Sequence, residues 1–145
     1  AGGLNFYAGE AEKIELGQEL FASADILCLA AKEDVLTKEN AEQVKAKIVV
    51  EGANMPATDE AREILARKGI LTVPDIIANS GGVIAAYCEL NNSEKTDEEI
   101  IKIAFDLTQK TISKNTETVL KRSLAENKNT REIADEIAKG KLVMI

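Results

Sequence analysis

Lys47-Ile-Val-Val-Glu51 is a short, nearly continuous apolar run. It has a counterpart roughly twenty residues to either side, Asp25-Ile-Leu-Cys-Leu-Ala30 before it and Ile70-Leu-Thr-Val-Pro74 after it. A strand with one face in water alternates apolar and polar side chains, whereas a strand covered on both faces does not. Three unbroken runs therefore predict parallel strands. Helical signals fill the gaps. Thr37 opens a segment that sets Ala41 and Val44 at helical spacing. Thr58, followed by Asp59 and Glu60, supplies an N-cap and two first-turn acids, Ala61, Ile64 and Leu65 form an apolar face, and Gly69 suits the residue past the helix end. The alternation is that of an α/β domain with right-handed crossovers.

Beyond Asn79 the pattern becomes helical. Gly81 and Gly82 precede a helical stretch from Val83 to Leu90, and Asn91-Asn-Ser-Glu-Lys95 is a polar break. Thr96 with Glu99 forms a capping box ahead of Ile100, Ile103, Ala104, Leu107 and Thr111 on one face. Two further helical segments are predicted, one carrying Val119, Leu120, Ser123 and Leu124, the other Ile133, Ala134, Ile137 and Ala138 after the Asn129/Glu132 pair. The organisation expected is a partial Rossmann-like unit over residues 1–92, an incomplete parallel sheet lacking its first βαβ unit, and a helical segment over 93–145 packed on it. Gly2, Gly3 and Gly9 around Leu4-Asn-Phe-Tyr7 read as the middle of a fold rather than its start.

Composition narrows the chemistry. The 145 residues are 45% hydrophobic and 30% charged, with a net charge of −7, which disfavours a nucleic-acid partner. The longest apolar stretch, 24–31, is broken by Asp25 and is too short to span a bilayer, and no leader pattern opens the chain. The cytoplasm is the expected location. With no histidine, Ser–His–Asp and Cys–His catalysis are absent from these residues, and the two cysteines cannot assemble a zinc site. Cys28, inside an apolar run, reads as a small buried thiol, and a pair of buried thiols is expected rather than a disulfide.

Three parallel strands bring three loops to one edge: 31–33, 52–54 and 75–82. Ligands of open α/β sheets sit in the crevice outside the carboxyl ends of the strands. Asn54, Asp75, Asn79 and the Gly81–Gly82 pair belong to that edge, and amide side chains, which both donate and accept, suit a carboxamide or ribose. Each has a plainer reading as well. Asn54 ahead of Met55-Pro56 can shape a turn, Asp75 reads first as a helix cap, and Asn79-Ser-Gly-Gly82 can be a cap with close-packing glycines or a phosphate cradle. Neither Gly-x-Gly-x-x-Gly nor a Walker sequence occurs.

The segments Lys47-Ile-Val-Val-Glu-Gly-Ala-Asn54 with Pro56, Glu60-Ala61, Gly69-Ile-Leu71 and Pro74-Asp-Ile-Ile-Ala-Asn-Ser-Gly-Gly-Val83 follow one another in an order and spacing that resembles the glutamate/leucine/phenylalanine/valine dehydrogenase family. Asp25-Ile-Leu-Cys-Leu-Ala-Ala31 fits the preceding strand. The resemblance is nearest to glutamate dehydrogenases. It implies oxidative deamination of an L-amino acid to a 2-oxo acid and ammonia with NAD or NADP, and a homo-oligomer, often a hexamer. By the same resemblance Ala30, Ala31, Ala53 and Asn54 line the nicotinamide-ribose side, Asn79 lies near the carboxamide and substrate, and Val83 and Ala86 face the substrate. No residue here falls in a catalytic motif of the family. The catalytic lysine and aspartate belong to an N-terminal substrate domain, and the glycine fingerprint and ribose-reading acid belong upstream, so the choice between NAD and NADP stays open. Departures include Leu29 for Pro, Met55 for Gly, Ala57 for Thr or Ser, and Ala86 where glutamate-specific members carry Ser. The last leaves a leucine/valine/phenylalanine-type enzyme as an alternative, beside a non-catalytic nucleotide-binding or regulatory module.

Overall fold

The computed structural model describes Gly9 and residues 14–142, so most of the glycine-flanked opening segment lies outside the described residues. The three apolar runs form β1 (Ile26–Cys28), β2 (Ile48–Val50) and β3 (Leu71–Val73), parallel and in the order β1-β2-β3. Their register aligns Leu27 with Val49 and Thr72, and Cys28 with Val50 and Val73. Side chains alternate faces along a strand. Val49 accordingly joins one core, with Leu36, Ala41, Val44, Ala61 and Leu65, while Val50 and Val73 join a second, with Ile77, Val119, Ile133 and Ala134. β2 and β3 are thus covered on both faces, as their unbroken apolar runs require, whereas β1 leaves Ile26 and Cys28 exposed on the second face.

Helix α1 (Asp59–Arg67) covers the first face. Thr58 Oγ1 accepts from Ala61 N–H, two acids occupy the first turn, and Gly69 follows at φ +72°, a conformation open to glycine at little cost. After β3 come a single turn, α2 (Asp75–Ala78), and then α3 (Gly81–Asn91). Helices α4 (Asp97–Glu126) and α5 (Thr130–Leu142) complete the second face. The capping box forms as read: Thr96 N–H donates to Glu99 Oε2 at 3.0 Å and Glu99 N–H donates to Thr96 Oγ1 at 3.4 Å. Asn129 Oδ1 accepts from Arg131 N–H at 2.8 Å at the start of α5. Arg122, Glu126, Lys128 and Glu136 tie α4 to α5 at the surface, and these bonds hold Glu126 and Glu136 below the usual carboxylate range.

Three expectations are corrected. The segment from Thr37 to Val44 is not a helix but a single 3-10 turn over Ala41–Gln43. Asn40 accepts from Thr37 N–H at 2.8 Å and donates to Val35 O at 2.9 Å, so its side chain ties the segment back to the backbone ahead of it, a local alternative to further helical turns. The helix that opens at Thr96 does not stop near Thr111. It runs 30 residues, because no glycine or proline interrupts it and Ile112, Asn115 and Thr116 continue its half-buried face to Val119; Asn127 at φ +51° ends it. Cys28 is exposed rather than buried, whereas Cys88 is buried. Cys28 points to the sheet face covered by α4 and α5, but those helices pack on β3, and β1 lies at the sheet edge beyond their cover. Both thiols are free.

This difference is measurable. In the folded chain Cys28 should react with an aromatic disulfide reagent promptly and Cys88 only after denaturation, because a buried thiol is shielded from the reagent. Equal rates for the two would contradict the arrangement.

Candidate functional site

The carboxyl ends of the strands converge as the topology requires. Beyond β1, Leu29 N–H donates to Val50 O at 2.8 Å and Leu29 O accepts from Ala53 N–H at 2.7 Å, so the loops after β1 and β2 are stitched together. Gly52 lies so close to this seam that a Cβ there would stand 3.3 Å from Ala30 Cβ. Asn54 and Asn79 meet directly: Asn79 Nδ2 donates to Asn54 Oδ1 at 2.5 Å. Ala30, Ala53, Asn54 and Asn79 thus share one rim. Ala31 continues it, exposed, on the wall of a cleft of about 660 Å³ with Leu16, Leu27 and Lys32. Val83 and Ala86, three apart on α3, are both exposed, and Val83 is 75% exposed. They follow Asn79 by less than two helical turns but make none of the rim's bonds.

The Asn54–Asn79 bond consumes one acceptor and one donor. Among the described residues no other hydrogen bond engages either side chain, so Asn79 Oδ1 is left to accept and Asn54 Nδ2 to donate. That pairing matches a primary carboxamide, which offers one of each. The dinucleotide implied by the family resemblance therefore fits the groups present here: small alanine side chains beside an amide pair with spare capacity. Among the described residues, no group of three His, Cys, Asp or Glu side chains could hold a metal ion, and no helix is long and apolar enough to cross a membrane.

A sequence profile describing glutamate/leucine/phenylalanine/valine dehydrogenases matches residues 2–144. The chain belongs to this family. It is 46% identical over 120 residues to a glutamate dehydrogenase of Aeropyrum pernix, an alignment covering 80% of this chain and 27% of that protein. It is 45% identical over 101 residues to an NADP-specific glutamate dehydrogenase of Saccharolobus shibatae, covering 67% and 24%. The chain therefore spans about a quarter of the length of these curated relatives. Among solved structures, it superposes on the hetero-hexameric glutamate dehydrogenase of Thermus thermophilus, leucine-bound form, with a TM-score of 0.67 at 29% identity, covering 88% of this chain and 31% of that one.

Beneath the rim of this dehydrogenase-family sheet lies a charged layer that patterns of apolar residues do not reveal. Glu51, the last residue of its apolar run, is 0% exposed. Its two oxygens take Arg62 Nε and Nη2, each at 2.8 Å, and Oε2 also accepts from Asp75 N–H at 3.2 Å. Burial alone would lower the Arg62 pKa; the hydrogen bonds and charge of Glu51, with a smaller contribution from Asp59, outweigh it and raise the pKa above the ordinary value. Asp75 is not the helix cap expected. Pro74 holds that position, and the Asp75 carboxylate accepts from Met55 N–H at 2.8 Å and from Arg131 Nη1 at 2.7 Å, as well as from Ile76 N–H. Signals for this layer were present but faint: an acid closing a strand run, and an arginine adjoining the Ala61/Leu65 stripe of α1.

Removing one member of a buried pair strands the other's charge. Arg62→Met should therefore destabilise the fold by about 3–5 kcal/mol, and Glu51→Met with Arg62→Met should recover most of that loss. Urea denaturation of the parent and the two variants checks this. A double variant no more stable than Arg62→Met would contradict the pairing.

Proposed function

We propose that this chain is the later part of the dinucleotide-binding domain of an NAD(P)-dependent amino-acid dehydrogenase. Its reaction is the oxidative deamination of L-glutamate to 2-oxoglutarate and ammonia, and the reverse. The observation that carries the reading is the Asn54–Asn79 amide pair at the carboxyl edge of a parallel sheet in a member of this family. The bound cofactor supplies hydride transfer at its nicotinamide ring. The residues of this chain orient that ring: Asn79 Oδ1 and Asn54 Nδ2 complement its carboxamide, while Ala30, Ala31 and Ala53 are small enough for a flat ring and ribose to approach the backbone. Val83 and Ala86, exposed on α3, form part of the wall against the amino-acid side chain.

Neither the amides nor these apolar groups can move a proton at neutral pH, so the acid–base chemistry falls to a substrate domain outside this sequence. The complete enzyme is expected to act in the cytoplasm as an oligomer. The names of both curated relatives support glutamate as substrate, and one of them supports NADP. A second reading, a leucine- or valine-type enzyme, draws on Ala86. An alanine offers no hydrogen bond to a side-chain carboxylate, and a site built without that donor discriminates for glutamate less well.

In the complete protein, Asn79→Ala should lower kcat/KM for the nicotinamide dinucleotide roughly three- to tenfold, the worth of one neutral hydrogen bond, with little change in Tm. A loss of folding with specific activity intact would reduce Asn79 to a structural turn residue. Rates with glutamate, leucine, valine and phenylalanine separate the two substrate readings, and the 145-residue chain by itself should turn over none of them.

A further inference from the structure

The rim amide Asn54 is followed by Met55, a residue with a side chain held at φ +44°, in the left-handed region that favours glycine. Two contacts keep it there. Met55 O accepts from Asp34 N–H at 3.0 Å, and Met55 N–H donates to Asp75 Oδ2 at 2.8 Å. The second contact depends on how the Asp75 carboxylate is turned. Its other oxygen, Oδ1, accepts from Arg131 Nη1 at 2.7 Å, and Arg131 stands on α5, 56 residues away in the chain. The Asp75 side chain is 8% exposed and that of Arg131 28%, so water competes little for this bond. Arg131 is itself aimed by Asp135, which accepts from its Nε at 3.2 Å.

We propose that Arg131 is a positioning residue for the cofactor rim: it pins Asp75, which holds the strained Met55 turn and so sets Asn54 against Asn79. The inference rests on the proposed role of that amide pair. Arg131 touches neither rim residue, and its influence passes through one carboxylate and one backbone N–H. The strain at Met55 makes the link necessary, because a strained turn persists only where its surroundings hold it. A glycine at 55 would adopt the same turn without a restraint.

The test uses the complete protein with oxidised NAD and NADP as probes, in four forms: parent, Arg131→Ala, Met55→Gly, and both changes together. Arg131→Ala should raise KM for the better cofactor about tenfold, with a smaller change in kcat, as expected when a preorganised contact is loosened. In the Met55→Gly background the same change should raise KM less than threefold. Hydrogen exchange of residues 53–57 should also quicken in Arg131→Ala and less so in the double variant. If Arg131→Ala does not fold, Arg131→Lys serves, since lysine keeps the charge but not the planar fork that bonds Asp75 and Asp135 together; an intermediate rise in KM is then expected. Unchanged KM and unchanged exchange at 53–57 would overturn the proposal, as would equal effects of the arginine change in both backgrounds. If the parent binds neither cofactor, the functional reading fails, and the exchange result alone decides whether Arg131 controls the turn.

Discussion

A carboxylate and a guanidinium withdrawn from water together fix the carboxyl edge of this sheet. Glu51 closes β2 at the point where the chain leaves the core for the rim, and Arg62 comes to meet it from the first turn of α1. Such a pair adds little net stability, because desolvating two charges costs about as much as their attraction returns. Its contribution is geometric. A buried carboxylate must be met by its donors, and the donors here belong to α1 and to the N–H of Asp75 at the head of α2. Two elements, α1 and α2, are thereby locked to one end of β2. From Asp75 the same logic extends outward to Met55 and to Arg131 on α5.

Glu51 with Arg62 and Asp75 with Arg131 are thus paired beneath the edge, and the alanine and asparagine side chains of the rim are themselves neutral. Ala30, Ala31 and Ala53 present almost no side chain, and Asn54 and Asn79 present amides. On the proposed reading this division suits a dinucleotide. Small residues let a planar ring approach, and amides orient it by hydrogen bonds that are indifferent to pH. It also accounts for the lack of proton-transfer groups at the rim. On the same proposed reading, binding and orientation fall to the rim residues of this chain, and the acid–base chemistry to a separate substrate domain.

Much of this was legible in the sequence because it rests on periodicity and local rules. Unbroken apolar runs marked the three parallel strands, though only β2 and β3 are covered on both faces, Thr58 and Thr96 marked helix starts, and the strand order placed Asn54 and Asn79 at one edge. What escaped was set by tertiary context. Nothing local separates an Asn40 that caps its own turn from one inside a helix. Cys28 looks like core until α4 and α5 are seen to stop short of β1. Asp75, after a proline and before a helix, has the sequence of a cap, yet its carboxylate is taken by partners 20 and 56 residues away. Charged residues inside apolar patterns are the positions where such long-range pairing is to be sought.

A crystal structure of the complete protein with its oxidised dinucleotide bound would locate the nicotinamide relative to the amide pair. The nicotinamide carboxamide is expected within hydrogen-bonding distance of Asn79 Oδ1 and Asn54 Nδ2, with Glu51 still clasped by Arg62 beneath them. A dinucleotide seated away from this rim, or an amide pair facing only protein, would contradict that placement.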